Sequence, residues 1–375
     1  MTKNRLYSGL FLLVLAGCGS DGTGVERTLQ VSTVGRMERG AELALVVTEG
    51  SDTIPAAQVQ WSANPAAAVE LLAGGRVRLL QTGAVTLTAQ SGGLSAKLDV
   101  TVAAPPMLVL DITADGNRDI YTVALDGGDL RKLTTHASVD EAPTVAGNTV
   151  VFSTYRDGNA ELYSYTLPNG PETRLTNTST DEQYPALSPN GERLAFTRAA
   201  PGGIPRVYVA PTASLGNAQL AATGVSGGFI LEGSPSWASN TMLIFTSAVR
   251  GTNDLFMVNA PPAAPSDLVV RAGPDVDAIA APDGRTVLFA APVAGDPSAD
   301  LELHAVDLQT RAIRVLLRRP GMDSRAIQLT DGRVVFVALE PDPDRLYWFD
   351  PEEPTTLHLI PLGEGMIPGR LAQVR

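Results

Sequence analysis

Tyr184-Pro185-Ala186-Leu187-Ser188-Pro189-Asn190-Gly191, followed by an apolar run ending at Phe196, is the stretch on which the fold turns. Its proline and asparagine-glycine turn signals lead into residues that suit a buried strand. The pattern recurs. Apolar runs also end at Phe152, Phe245, Phe289 and Phe336, and Pro282-Asp283-Gly284 and Asp331-Gly332 supply comparable turns. A second marker is a polar or charged residue, an aliphatic one, then usually an aromatic one. It stands at Asp119-Ile120-Tyr121, Glu161-Leu162-Tyr163, Arg206-Val207-Tyr208, Asp254-Leu255-Phe256, Glu302-Leu303-His304 and Arg345-Leu346-Tyr347. The third positions are 42, 45, 48, 48 and 43 residues apart. Two markers sharing a period of about 45 residues predict blades of four strands, six of them, in a β-propeller.

The ends of the repeat region predict how it closes. Leu110 aligns with Phe152 through Asp115-Gly116-Asn117 and Asp157-Gly158-Asn159, so the first repeat begins at Met107 with its second strand. The missing innermost strand is expected from Ile367-Pro368-Gly369-Arg370-Leu371-Ala372-Gln373-Val374, which would remove the last open sheet edge. These markers resemble the TolB-like propeller repeat, whose consensus runs proline, serine-proline-aspartate-glycine, a Phe-ending strand, then aspartate-isoleucine-tyrosine. The resemblance spans nearly all of residues 107–375. It implies an envelope role through a protein or peptide partner, although the N-terminal domain of that family differs from the one here.

Residues 27–104 alternate apolar and polar positions in short runs, as in Glu42-Leu43-Ala44-Leu45-Val46-Val47 and Leu98-Asp99-Val100-Thr101-Val102. Period-two alternation without a helical stretch predicts a two-sheet sandwich of about seven strands. Trp61-Ser62-Ala63-Asn64-Pro65 and Gly83-Ala84-Val85-Thr86-Leu87-Thr88-Ala89 resemble segments of the group-2 bacterial Ig-like domain. That resemblance implies a spacer or adhesive module. Ala103-Ala104-Pro105-Pro106 is a stiff linker to the repeats.

Lys3 and Arg5 precede an apolar run from Leu10 to Ala16, too short to span a bilayer but suited to a secretory signal. Leu15-Ala16-Gly17-Cys18 resembles a bacterial lipobox, which implies lipidation of Cys18 after removal of residues 1–17, with residues 18–26 as a tether. The expected address is the cell envelope, lipid-anchored and most consistent with the outer membrane, since Gly19 is not the aspartate of inner-membrane retention. Processing removes two of the 28 basic residues and none of the 40 acids, leaving a net charge of 26 minus 40, or −14. No basic cluster stands out, which argues against nucleic acid as a partner. The single Cys excludes an internal disulfide.

No serine-hydrolase elbow, zinc-binding His-Glu-x-x-His or phosphate loop occurs, so the chain is not expected to be an enzyme. Of the three histidines, His304 replaces the repeat's tyrosine, His358 falls on an outer strand, and His136 falls in a loop near the channel mouth. The more informative pattern is acidic. Asp140, Glu182, Glu232, Asp275, Asp323 and Glu364 precede the six innermost strands, with Glu141, Asp181 and Asp277 beside them. One reading is a ring that binds Ca2+ or a cationic peptide segment. The other is a set of turn residues paired with Arg156, Arg198 and Arg250, with Arg325 and Arg370 also within reach. Three functions remain open: a partner-binding envelope lipoprotein, a glycan lyase or hydrolase using the channel mouth, or a structural surface protein.

Overall fold

The computed structural model describes residues 28–199, 203–223, 235–271, 273–292, 300–339 and 344–374. The signal segment, the tether with Cys18, and Glu232 lie outside the described residues. Two compact units divide the chain, Met1–Pro105 and Pro106–Arg375. Among the described residues no helix is long and apolar enough to cross a membrane.

The first unit is a sandwich of a five-stranded and a three-stranded sheet. Its alternating sequence becomes alternating burial: Leu94–Val102 places every second residue inside. Leu29, Val31, Leu43, Val77, Leu79, Leu87 and Leu98 are fully buried between the sheets. Each such side chain contributes about 1.5–3 kcal/mol by leaving water. Gly92 and Gly93 both take positive φ and close the hairpin between Gly83–Ser91 and Leu94–Val102.

The second unit contains six four-stranded antiparallel sheets. Sheets two to six are each built from consecutive strands. In the second these are Asp140–Ala146, Thr149–Thr154, Glu161–Thr166 and Glu172–Arg174. The first sheet is assembled from both ends of the unit: Ile367–Gln373 pairs antiparallel with Met107–Ala114, which pairs with Asn117–Ala124. The turn at Asp115-Gly116 has positive φ at both residues, so this segment is a tight hairpin.

Middle strands are buried on both faces, which is why they read as continuous apolar runs. Val150, Val151 and Phe152 are all fully buried. Consecutive sheets share apolar clusters: Val150 and Phe152 pack with Val109 and Ile120, Phe196 with Val151 and Leu162, and Phe245 with Ala195 and Val207. The sixth sheet meets the first through Val335, Val337, Leu108 and Leu110. The five phenylalanines of the repeat are thus the wedges between neighbouring sheets.

Candidate functional site

One cavity of about 160 Å³ is lined by the innermost strands of all six sheets. The innermost strands of the first, second, third, fifth and sixth sheets enter it through a similar backbone detail. Register shifts follow Glu141, Gln183, Val276, Ser324 and Pro368, and Ala142, Tyr184, Asp277 and Arg325 have φ between 51 and 53°. These are β-bulges, which re-aim one side chain at a strand end. The bulge residue stands two positions after Asp140, Glu182, Asp275 and Asp323. In the first sheet, Pro368 opposes Ile112 as Asp140 opposes Thr154, so the corresponding bulge residue is Arg370.

The acids themselves do not line this cavity. Asp140, Glu182, Asp275 and Asp323 are fully buried, each bound to an arginine of its own sheet. Arg156 Nη2 donates to both oxygens of Asp140 at 3.0 and 3.1 Å, and Arg198 Nε donates to Glu182 at 2.9 Å. Arg271 Nε reaches Asp275 at 2.7 Å, and Arg319 Nε reaches Asp323 at 2.8 Å. Thr178 also donates to both oxygens of Glu182, at 2.8 and 2.9 Å. Burial pushes the carboxyls of Asp140 and Glu182 up, against the pull of these partners. Burial likewise carries Asp275 to about 6, opposed by Arg271.

The same arginines stack over the repeat's aromatic pair. Arg156 lies 4.6 Å from the Tyr163 ring centre, Arg198 lies 4.9 Å from Tyr208, and Arg271 lies 5.5 Å from Phe289. Cation–π contact of this kind contributes about 0.5–2 kcal/mol. Arg250, whose expected partner Glu232 is not described, binds Asp267 at 2.8 Å and stands 3.7 Å from Asp254. Glu364 is exposed in the turn before the closing strand, and the register gives its expected place to Pro368. Asp181 accepts the Ala160 backbone N–H at 2.9 Å. The structure therefore separates the acids into individual ion pairs. Among the described residues no three His, Cys, Asp or Glu side chains are grouped to hold a metal ion.

Arginines 271 and 319 were not foreseen as partners. Their signal was present: each stands four residues before its acid, where the chain enters the innermost strand. The bulge ring was also missed, because parity alone does not reveal an extra residue in a strand. Its described members are Arg370, Ala142, Tyr184, Asp277 and Arg325, from the first, second, third, fifth and sixth sheets. Arg370 crosses between sheets: its guanidinium carbon lies 4.8 Å over the Tyr184 ring, and Nη2 is 3.3 Å from Asp277. It is the one charged residue among the described residues lining the cavity.

Around this ring runs a surface network. Arg118 donates to Glu141 at 2.9 Å, Tyr155 donates its hydroxyl to Glu141 at 3.4 Å, and Gln183 donates to Tyr155. Burial, aided by the Glu141 charge, pushes the Tyr155 hydroxyl up to about 12, so it stays protonated. Exposed apolar side chains collect at the same strand ends: Val139, Tyr155, Val249, Val270, Met322 and Ile367. The histidines serve locally. His136 Nδ1 accepts the Ser138 N–H at 3.1 Å, His304 stacks on Phe289 at 5.3 Å, and His358 stacks on Trp348 at 3.9 Å.

Residues 103–276 match the family described as the TolB beta propeller domain. Among solved structures the chain is similar to TolB from Acinetobacter baumannii, at 13% identity and a TM-score of 0.61, covering 82% of this chain and 81% of that one. It is also similar to hydrazine synthase of Kuenenia stuttgartiensis, at 13% identity and 0.57, covering 72% and 47%. An oligogalacturonate lyase in complex with manganese gives 13% and 0.50, covering 88% and 89%. At such identities the likeness is one of fold. No curated protein matches the sequence. The six-sheet unit of this all-β chain has a TolB-like β-propeller fold.

Proposed function

We propose that this chain is a cell-envelope lipoprotein whose propeller binds a protein or peptide partner at the channel mouth. In this reading Cys18 carries the lipid, the Ig-like sandwich is a spacer, and the six sheets are the blades of a ring closed by residues 367–373. The observation that carries it is a set of exposed apolar side chains at one end of the sheets: Val139, Met322 and Ile367 where innermost strands begin, Tyr155 and Val249 just after second strands, and Val270 just after an outer strand. Apolar side chains rimmed by polar networks mark association surfaces.

A photo-crosslinking residue placed at Met322 tests the reading against the same residue at Val315, an exposed position on an outer strand. A discrete adduct in intact cells from position 322 alone is the expected result. Equal labelling at both positions, or none at 322, rejects the mouth as the contact face. Radiolabelled fatty acid incorporated by the wild type and not by Cys18→Ala tests the anchor.

A further inference from the structure

We propose that the sandwich carries a receptor for a neutral polysaccharide, on the outer face of its three-stranded sheet and in a groove at one end of that face. This adds a binding face to the first unit and does not depend on the partner of the propeller. Strands Gln60–Asn64, Gly83–Ser91 and Leu94–Val102 lie side by side in this sheet. Alternation sends Leu87, Ala89, Ala96 and Leu98 into the core and leaves the opposite face to polar residues. The register sets these in three rows: Gln60, Gln90 and Ser95, then Ser62, Thr88 and Lys97, then Asn64, Thr86 and Asp99. Charge is confined to Lys97 and Asp99 on one edge strand, and the Thr86 hydroxyl donates to Asp99 at 2.6 Å. The first two rows are therefore almost entirely amides and hydroxyls.

The first row opens into a groove of about 380 Å³, lined by Gln58, Gln60, Gln90, Ser91 and Ser95 around the Gly92-Gly93 hairpin tip. Gln58 is supplied by the short turn Ala56–Gln58 that leads into the first of the three strands. At the tip φ is 56° at Gly92 and 78° at Gly93, values that favour glycine and so keep that wall free of side chains. The volume falls within the ~300–1,000 Å³ of sites that hold whole ligands. The lining departs from such sites, because its one apolar side chain, Leu94, is buried.

Chemistry selects the occupant. Among the described residues no charged side chain lines the groove, so an ionic ligand finds no counter-charge there. Side-chain amides and hydroxyls both donate and accept, which matches the adjacent hydroxyls of a sugar. The side chains of Gln58, Gln60, Gln90 and Ser95 make no hydrogen bond with any described residue, so these capacities are not already spent within the fold. A peptide finds no apolar socket here, and its backbone pairs with a strand edge and not with a sheet face. The second row continues the polar surface about 7 Å farther along the strands, so a chain of sugars meets both rows where a single sugar meets one. Neutral hydrogen bonds contribute little net of water, which makes one such site weak and favours a polymer that offers it many copies of one unit.

Native electrophoresis of the full chain through gels cast with soluble neutral glucan, mannan or galactan tests the proposal, with polygalacturonate and gelatin as charged and polypeptide probes. At least one neutral polymer should retard the chain. Gln60→Ala and Gln90→Ala should each weaken that binding about two- to ten-fold. Thr101→Ala, exposed at the far end of the same face and outside the groove, should leave it unchanged. Both glutamines are exposed, so the urea midpoints should not move; binding lost only together with a lowered midpoint would make their part structural and overturn the receptor. Equal retardation of all variants, retardation by polygalacturonate alone, or none by any neutral polymer also overturns it. Retardation by gelatin alone that Gln90→Ala removes would assign the groove to peptide and overturn the polysaccharide.

Discussion

The first and second sheets of the propeller share strand order and register but are held by different chemistry. In the second, Phe152 packs beside Tyr163, Arg156 covers the pair, and buried Asp140 fixes Arg156. In the first, Leu110 replaces the phenylalanine opposite Tyr121, and Pro368 replaces the acid. The ring pair and its ion pair are both missing at the one place where the sheet joins two ends of the chain. Asp111 takes over there. It is buried, and its Oδ1 accepts N–H groups from Arg370 at 3.0 Å and Ala142 at 3.1 Å, joining the closing strand to the neighbouring sheet. In the second sheet the neutral Ser153 does the corresponding work, accepting the Tyr184 N–H at 3.1 Å. Gly369 is required beside Asp111, since a Cβ at that position would fall on the Asp111 carboxylate. A covalently continuous sheet tolerates a hydroxyl as seam acceptor; the sheet closed without covalent continuity uses a carboxyl oxygen that accepts two bonds.

The hardest way to break this comparison is to remove the closing strand. Deleting residues 367–375 strips the ladder from Met107–Ala114 and exposes Leu110 and the neighbouring sheet edge. Against a typical stability of about 5–15 kcal/mol, loss of a whole strand should abolish cooperative unfolding of the second unit. The sandwich, with its separate core, should keep its own transition. Urea unfolding followed by tryptophan fluorescence of the full and shortened chains checks this, and a second-unit transition at the wild-type midpoint would contradict the closing role. A smaller break is Asp140→Ala, which removes a buried ion-pair partner of Arg156 but leaves it Glu172 and Thr154, and should cost about 1–3 kcal/mol. Replacing the exposed Glu364 by Ala should leave the urea midpoint unchanged. Similar losses in both variants would mean that the acids preceding the innermost strands are equivalent after all.

The same contrast explains what could be read from the residues. The repeats were legible because Phe152, Phe196, Phe245, Phe289 and Phe336 occupy one structural slot, and burial on both faces keeps that slot apolar. The closing strand was legible because Leu110 could be aligned with Phe152 through the turns that follow them. The site was displaced by two residues. Asp140, Glu182, Asp275 and Asp323 mark the strand starts, but the residues that line the cavity are the bulge residues Ala142, Tyr184 and Arg370 instead. A bulge inserts a residue without changing composition, so alternation counts cannot find it. Arg271 and Arg319 escaped for another reason. In sheets two and three the capping arginine follows the phenylalanine, whereas in sheets five and six it comes from the segment before the acid, so the repeat conserves the cation's place in space and not in the chain.

The fifth sheet sharpens the comparison most finely, because there the aromatic slot itself is titratable. His304 stacks on Phe289, and burial, with help from the Arg271 charge, lowers its pKa to about 4. Asp275 of the same sheet is raised to about 6. Their linkages oppose each other. Unfolding returns Asp275 to an ordinary value near ~3.9, so between about pH 4 and 6 the folded chain holds the extra proton, and this group's contribution grows as pH falls. Unfolding returns His304 to about 6.5, so across nearly the same window the unfolded chain holds the extra proton, and stability declines as pH falls. His304→Tyr, which restores the repeat's residue, should leave only the Asp275 contribution. The variant should gain on wild type by on the order of 2 kcal/mol between pH 7.5 and 4.5, and a further Asp275→Asn change should remove the remaining rise. Urea midpoints of the three chains at the two pH values decide it. Parallel pH profiles would mean that the slot is set by ring stacking alone and that its ionisation has no part in holding the fifth sheet.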